Sequence, residues 1–445
     1  MRARASLPVR DRRKAGFSLV ELLVAMVIVV EILVAGLTVF DVHNKMARVQ
    51  TQITDMQQSL RIAQYDMVKT TRMAGRGALP AVFAVASTPS TTWLASRALE
   101  VRNNLIDDDD REIARGFTDS PKAIAGTDAL VVRGCMSGLM FQILSADFQP
   151  DPDTPGTFDT GLLTVRRAAI AGGREQSLAQ FLEAGFDAPI VLQSSVNRGQ
   201  IAIVEVAAVA GDADTVVLTL DFVSQEDPPN PLIGLPDPDI VPSFLCVLEE
   251  YRYYIREHHS IPGDDSSELL PRLARARMIP GTELPHSGLL ANLSLDLADE
   301  IIDLQVALGF DTDRDLDGAV PGAFDDDTDQ AGNDDVLYEG ADDGARALDD
   351  WLWNSGEDDP TEAQYLVNAG PPARSVRLYN VRITTVGRTS RPDPGYVAPD
   401  FDADADFDWV EDNDYDVSPA NDWKQGLNRH HRRRVLQTLV DLRNI

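Results

Sequence analysis

The sequence predicts an α+β protein in which one long N-terminal helix packs on an antiparallel β-sheet head that carries acidic loop insertions. Three observations support this prediction. The residues from Phe17 to Phe40 are almost entirely apolar, and no proline occurs between Pro8 and Pro80. After residue 80, short strand-like segments alternate with turn-rich loops.

The first half of the helix is predicted to span a membrane. At about 1.5 Å per residue, residues 17–40 form about 36 Å of helix, which is enough to cross a bilayer with some tilt. Six basic residues and one acid precede Phe17. Because basic residues stay on the cytoplasmic side, the N-terminus is expected there.

The second half of the helix, residues 41–74, is predicted to be amphipathic and to pack on the head, residues 75–445. Residues at alternating three- and four-residue steps form one stripe. Gly75, Gly77 and Pro80 then end the helix. The stripe consists of Ile53, Met56, Leu60, Ala63, Met67, Thr70 and Ala74.

Two carboxylates, Glu21 and Glu31, lie within the apolar half of the helix. A charged side chain in hydrocarbon costs about 2.5 kcal/mol or more, so each calls for a partner. Cleavage between Gly16 and Phe17 would create an amine on Phe17, about one helical turn from Glu21. A neighbouring copy can supply the same amine. For Glu31, protonation and a partner subunit are the alternatives.

The segment Gly16-Phe17-Ser18-Leu19-Val20-Glu21 resembles the processing site of type IV prepilins. The resemblance implies that prepilin peptidase cuts after Gly16 and that the amine of Phe17 is methylated. It makes Glu21 the glutamate at mature position five. It also implies a single-pass protein of the bacterial inner membrane with a periplasmic head, which later enters a pilus filament or its tip. An uncleaved signal anchor is the alternative, since an ordinary secretory signal is cut after its apolar core.

Softer motifs in the rest of the chain resemble the head of PilW-type minor pilins. The resemblance implies a minor pilin that primes or caps a type IV pilus together with other minor and major pilins. A pseudopilin of a type II secretion system and a calcium-stabilised tip adhesin are the alternatives. Glu21 favours the pilus, because large tip pseudopilins typically lack this glutamate. The matching segments are residues 131–135, 250–255, 302–306 with 311–313, and 432–436.

Acidic residues are concentrated in two stretches of a chain whose formal net charge is −31. Residues 311–359 hold eighteen acids and two arginines, and residues 400–416 hold nine acids and no base. Nucleic acid is excluded as a partner, because phosphate attraction requires the opposite charge. Such a local concentration of acidic residues indicates bound cations or solvated loops.

The first acidic stretch contains a candidate calcium site. Counted from Asp313, aspartates occupy positions one, three and five of an EF-hand-like loop, and Gly318 occupies position six. Position twelve is Phe324 instead of a bidentate glutamate, and an aspartate follows it. A solvated acidic loop is the alternative. The candidate Ca²⁺ ligands are Asp311, Asp313, Asp315, Asp317 and Asp325.

Cys135 and Cys246 are the two cysteines of the chain. If the head is exported, both face an oxidising compartment and can form a disulfide. Two buried free thiols are the alternative.

An enzyme is not predicted, since the sequence lacks the G-x-S-x-G, Walker A, H-E-x-x-H and C-x-x-C motifs.

Within the head, the sequence predicts one short helix, one loop and ten strands. The helix covers residues 174–184. Residues 228–242 carry six prolines and form a loop or hinge, which divides the head into two lobes unless the later strands rejoin the first sheet. The strands are predicted at residues 128–133, 162–166, 190–193, 201–207, 215–222, 244–256, 273–279, 300–310, 375–386 and 433–443.

Overall fold

The computed structural model describes residues 18–77, 93–95, 98–102, 105, 123–124, 126–136, 140–150, 158–166, 168–171, 174–177, 189–194, 200–211, 214–222, 232–233, 241–259, 269–282, 295–311, 377–393, 395–396, 409–410, 413–414 and 431–442. These residues contain one α-helix and nineteen strands. The chain divides into two compact units, Met1–Thr54 and Asp55–Ile445. The predicted α+β class, with a long N-terminal helix and antiparallel sheets, is confirmed.

The helix α1 runs from Leu19 to Thr71 without interruption, for 53 residues. In the first unit its large apolar side chains are exposed from Leu19 to Phe40. By length and composition α1 can cross a membrane, and its most apolar eighteen-residue stretch has no buried residue. Apolar side chains exposed around a whole helix, with no polar face, are typical of a membrane span.

In the second unit, α1 buries the predicted stripe. Met56, Leu60, Ala63 and Met67 are buried, together with Thr70, as the helical period requires. The helix ends at Thr71 and is followed by turns up to Gly77. Gly75 and Gly77 have φ angles of 70° and 111°. Because this left-handed region favours glycine, these two residues allow the chain to leave the helix.

The strands are, in chain order, β1 (Trp93–Ala95), β2 (Leu99–Arg102), β3 (Ala129–Gly134), β4 (Phe141–Pro150), β5 (Phe158–Arg166), β6 (Ala168–Ala171), β7 (Arg174–Ser177), β8 (Ile190–Gln193), β9 (Gln200–Gly211), β10 (Thr215–Asp221), β11 (Phe244–Val247), β12 (Glu249–His259), β13 (Leu269–Met278), β14 (Leu295–Asp299), β15 (Ile301–Asp311), β16 (Arg377–Arg388), β17 (Trp409–Val410), β18 (Asn413–Asp414) and β19 (Arg433–Asp441).

These strands form two large antiparallel assemblies and a smaller sheet. A six-stranded sheet has the order β1-β2-β3-β12-β13-β14, and β10, β5, β4, β11, β8 and β9 close into a barrel. The third sheet has the order β15-β16-β19, and β6-β7 and β17-β18 are two-stranded. Closure removes the free edges that an open sheet exposes. The barrel is filled by apolar side chains that include Phe141, Leu163, Val165, Leu192, Val204, Leu218 and Leu245.

The six-stranded sheet and the β15-β16-β19 sheet are linked through Asp128 and Glu300. The backbone N–H of Val306 on β15 donates to the carboxylate of Asp128 over 2.7 Å. Glu300 separates β14 from β15 and has a φ of 60°, a strained conformation for a residue that carries a Cβ. A strand was predicted to begin at Glu300, but the chain turns at this residue and changes sheets, so β15 begins at Ile301.

Each of the ten predicted strand segments overlaps an observed strand. Two of the predicted elements are nevertheless corrected by the structure. The segment 244–256 is two strands, β11 in the barrel and β12 in the six-stranded sheet. The short helix predicted from residue 174 is wrong at its start, because Arg174–Ser177 is β7 and pairs with β6. The hydrogen bonds of this hairpin override a weak local helix preference.

The strands that follow residues 228–242 return to sheets that were begun before them. β11 pairs with β4 and β8, and β12 pairs with β3. The barrel and the six-stranded sheet therefore each contain strands from both sides of the proline-rich segment.

Candidate assembly site

The start of α1 carries the residues predicted to act in processing and assembly. Gly16 and Phe17 lie outside the described residues, which begin at Ser18. The backbone N–H of Ser18 donates to the carboxylate of Glu21 over 3.0 Å, and the N–H of Val20 donates to the hydroxyl of Ser18 over 3.3 Å. This reciprocal arrangement is a capping box, which satisfies free N–H groups at a helix start.

Glu21 is therefore held at the peptide group that follows Phe17. The negative charge of Glu21 is also favoured at the N-terminal end of the helix dipole. This second role was not predicted, although Ser18-Leu-Val-Glu21 has the spacing of a capping box. The apolar side chains that follow are exposed, so they are available to lipid or to neighbouring helices.

In the second unit, Asp66 connects α1 to the six-stranded sheet. The hydroxyl of Tyr253 on β12 donates to Asp66 over 2.8 Å and lies 2.7 Å from the hydroxyl of Thr70. The guanidinium of Arg275 on β13 lies 3.0 Å from the Asp66 carboxylate. Burial raises the pKa of the Tyr253 hydroxyl, and the negative charge of Asp66 raises it further, so Tyr253 remains a neutral donor.

Gln64 connects the same helix to the β15-β16-β19 sheet. Its buried side-chain amide donates to the carbonyl of Ile383 over 3.1 Å and to the carbonyl of Leu436 over 2.9 Å. The hydroxyl of Thr385 also lies 3.0 Å from the amide nitrogen. One amide thus holds α1 against both β16 and β19. Gln64 and Asp66 lie beside the apolar stripe, which is why the periodicity did not single them out.

A close contact between Leu60 and Gly387 brings α1 onto β16. A Cβ placed on Gly387 would lie 3.0 Å from Cγ of Leu60 and 3.2 Å from both of its methyl carbons. Leu60 is fully buried. Because only glycine leaves this space open, Gly387 allows the helix to pack directly on the strand.

A buried ionic cluster lies within the six-stranded sheet. Arg133 on β3 contacts Glu250 on β12 over 2.5 Å and also pairs with Glu100 on β2. Arg252 contacts Glu250 over 2.7 Å, and the N–H of Gly281 donates to the same carboxylate over 2.9 Å. Burial opposes the charge on Glu250, but Arg133 and Arg252 outweigh it and lower its pKa to about 2. The cluster therefore stays ionised and satisfied.

Cys135 and Cys246 form a disulfide, with their Cα atoms 5.9 Å apart. Cys135 follows β3 and Cys246 lies on β11, so the bond links the six-stranded sheet to the barrel. Gly77 lies against it, since a Cβ on Gly77 would be 2.6 Å from the sulfur of Cys135. The N–H of Cys135 donates to the carbonyl of Arg76 over 2.7 Å. The end of the helical segment is thereby attached to the disulfide.

The predicted calcium ligands fall almost entirely outside the described residues. Asp311 is the last residue of β15 and pairs in register with Arg377, the first residue of β16. Asp313, Asp315, Asp317 and Asp325 belong to the intervening residues, which are not described. In the part of the chain that is described, no three His, Cys, Asp or Glu side chains are grouped as metal ligands. Calcium binding remains a prediction.

Comparison with known proteins bears on the N-terminal segment. Residues 11–35 match the family described as the prokaryotic N-terminal methylation motif. Comparisons with curated proteins and with solved structures gave no significant match. The matched residues include Gly16, Phe17 and Glu21, and they end within the exposed apolar part of α1. The chain therefore carries a prokaryotic N-terminal methylation motif, which extends from residue 11 into the exposed part of α1.

Proposed function

We propose that this chain is a PilW-type minor pilin, which is cut by prepilin peptidase between Gly16 and Phe17 and helps to prime or cap a type IV pilus. One observation carries the proposal. The methylation motif at residues 11–35 runs directly into a single helix of 53 residues, which is exposed and apolar in its first unit. In the second unit of the chain, one face of the same helix is buried against a β-rich head.

This subunit acts through assembly and not through turnover. Before assembly, residues 17–40 hold it in the bacterial inner membrane with the head in the periplasm. In the filament, the same apolar surface packs against the helices of other minor and major pilins. The amine of Phe17, freed by cleavage, neutralises a Glu21 carboxylate between neighbouring subunits. The capping box supports this role, because it holds Glu21 at the helix start.

The head is built to keep its part of α1 in place while the exposed part enters the filament. Asp66 contacts the six-stranded sheet, Gln64 and Leu60 contact the β15-β16-β19 sheet, and the disulfide attaches the segment that follows the helix. Such a helix cannot leave the head without exposing Gln64 and the buried stripe. This supports a structural subunit whose helix and head move as one piece within the second unit.

Calcium binding by Asp311, Asp313, Asp315, Asp317 and Asp325 is part of the proposal. Alternating aspartates before a glycine supply the oxygen ligands that Ca²⁺ prefers. The register pair Asp311–Arg377 supports the idea, because it places the two ends of the acidic insertion together on one sheet. The ion would then offset the repulsion between the carboxylates of this insertion.

The N-terminus of the mature protein tests the processing step. Mass spectrometry of protein purified from the membrane should find a chain that begins with N-methylated Phe17. A chain that retains residues 1–16 would show an uncleaved anchor and would overturn the proposal.

Replacement of Glu21 tests the assembly step. Glu21→Ala should abolish pilus formation while the head keeps the thermal stability of the wild type. Asp41→Ala is the matched control, since Asp41 lies on the same helix in an exposed pair with Lys45, and such pairs contribute little. Normal piliation with Glu21→Ala would contradict the mechanism. Loss of type II secretion with intact pili would assign the chain to the pseudopilins instead.

Calcium titration tests the metal site. The purified protein should gain thermal stability on addition of Ca²⁺, and Asp313→Ala and Asp315→Ala should each remove that gain. Asp402→Ala, in the second acidic stretch, is the control and should respond as the wild type does. An equal response of all four proteins would leave the stretch as a solvated loop.

A further inference from the structure

Glu31 is a second carboxylate in the exposed apolar part of α1, ten residues beyond Glu21. Its neighbours on the helix surface, three and four residues away, are Val27, Ile28, Val34 and Ala35. All four are apolar, and the three largest are at least half exposed. Among the described residues, Glu31 therefore has no cation within reach on its own helix, whereas Glu21 accepts a hydrogen bond from Ser18.

A charged Glu31 requires a partner outside this helix. It lies about 21 Å along the helix from Phe17, well inside a hydrocarbon layer about 30 Å thick. An ionisable side chain at this depth is costly and marks a functional site when a partner can neutralise it.

A second copy of this chain does not supply that partner. Two copies at the same depth would place Glu31 opposite Glu31, a repulsive contact. From Ser18 to Val42 the sequence contains no Lys, Arg or His. The first lysine beyond this segment, Lys45, already pairs with Asp41 over 2.8 Å. The freed amine of Phe17 is required by Glu21 in the proposed assembly step.

We propose that Glu31 recognises a different subunit, whose membrane helix carries one lysine or arginine level with it. This inference rests on the proposed function, because it takes α1 as the assembly helix. Glu21 then provides the contact that every pilin subunit shares, and Glu31 selects which subunit lies beside this one. The exposed Val27, Ile28 and Val34 surround the ion pair with apolar contacts, which exclude lipid headgroups and water from it.

A probe helix in the bacterial membrane tests the inference with the full chain. The probe is a single-span Leu/Ala helix whose fifteenth apolar position from the cytoplasmic end is Lys, and its matched control has Leu there. Two-hybrid or energy-transfer association with the wild-type chain should be at least about fivefold stronger for the Lys probe, given the measured strength of polar contacts between membrane helices. Glu31→Gln should reduce the association to that of the Leu probe.

Two further variants make the result specific. Asp41→Asn should leave the preference for the Lys probe unchanged, because Asp41 is an exposed carboxylate about 15 Å away along the same helix. Glu31→Lys should reverse the preference, so that a probe with Glu at the same position binds more strongly than the Lys probe. Equal binding of the Lys and Leu probes, or a preference that survives Glu31→Gln, would overturn the inference.

The mature N-terminus separates this inference from the proposed function. If Phe17 is N-methylated and Glu21→Ala abolishes piliation, but the Lys probe shows no preference, only the role of Glu31 is wrong. If the leader is retained, the proposed function fails, whatever the probe shows.

Discussion

Asp66 on α1 accepts a hydrogen bond of 2.8 Å from the hydroxyl of Tyr253 on β12, across 187 positions of sequence. Arg275 on β13 lies 3.0 Å from the same carboxylate. One side chain of the helix thus contacts two adjacent strands of the six-stranded sheet.

Removal of the Asp66 carboxylate should loosen the helix from the sheet. Asp66→Ala removes a charged hydrogen-bond acceptor and leaves the hydroxyl of Tyr253 with one partner fewer, so a loss of about 1.5–3 kcal/mol in the free energy of unfolding is expected. Denaturant unfolding of the protein in detergent, followed by tryptophan fluorescence, measures it. Asp55→Ala is the matched control, because Asp55 is exposed on the same helix. If both variants lost the same free energy of unfolding, the contact of Asp66 with the sheet would not stabilise the head.

A methyl group on Gly387 should disturb the contact between α1 and β16. Gly387→Ala places a Cβ about 3 Å from the buried side chain of Leu60, so either the helix or the leucine must shift. Overpacking of this kind costs about 1–3 kcal/mol, which thermal unfolding can detect. Gly395→Ala is the control, since a Cβ there would meet only an oxygen of Asp393 at 3.5 Å. An unchanged melting temperature for Gly387→Ala would contradict the packing described.

Acid should destabilise the head partly through Glu250. Its pKa is lowered from 4.5 to about 2 in the folded protein. Between these two pH values the unfolded state binds a proton that the folded state does not, so stability falls as the pH decreases. Ionised Glu250 contributes about 3 kcal/mol to the free energy of unfolding above pH 4.5, and this contribution is lost below pH 2. The free energy of unfolding measured from pH 6 to pH 2 should show this component.

The variant Glu250→Gln isolates that component. At neutral pH its free energy of unfolding should be about 3–5 kcal/mol lower than that of the wild type, because Arg133 and Arg252 remain buried without their partner. Its unfolding free energy should also depend less on pH between 4.5 and 2 than that of the wild type. Glu257→Gln, at a half-buried position of the same strand, should lose less than about 1 kcal/mol at neutral pH. Parallel pH profiles for Glu250→Gln and the wild type would refute the assignment.

Reduction of the disulfide should destabilise the junction between the six-stranded sheet and the barrel. Cys135 and Cys246 are 111 positions apart, and closing a loop of this length contributes about 5 kcal/mol in the chain-entropy model. The double variant Cys135→Ala/Cys246→Ala should lower the denaturant midpoint, and so should dithiothreitol added to the wild type. Dithiothreitol should not affect the double variant further. If it lowered both midpoints equally, its effect would not act through this bond.

The helical stripe shows what periodicity can predict. Met56, Leu60, Ala63 and Met67 recur at three- and four-residue steps, and all four are buried. This prediction succeeded because the helical period depends on local backbone geometry alone. Gln64 was not predicted, because its acceptors, the carbonyl groups of Ile383 and Leu436, are more than 300 positions away.

In the sheets, too, single strands were predicted from the sequence, whereas their pairing was not. The strand at residues 215–222 was predicted from its alternation, but nothing in it indicates that β10 pairs with both β5 and β9 to close a barrel. Glu300 was predicted as the first residue of a strand, because the sequence does not mark a left-handed backbone conformation when the residue is not glycine. The pairing of Cys135 with Cys246 was left open, since spacing along the chain says nothing about the 5.9 Å between their Cα atoms.

By itself, the sequence determined the features that depend on neighbouring residues: the methylation motif, the 53-residue helix, its apolar and amphipathic halves, and most strands. Only the tertiary structure decided how the strands form a barrel and two sheets, and which polar groups hold α1 within the second unit. The physical reason is the range of the interactions. Hydrophobic period and capping act within a few residues, whereas Asp66, Gln64 and Glu250 are stabilised by partners that chain folding brings from distant positions.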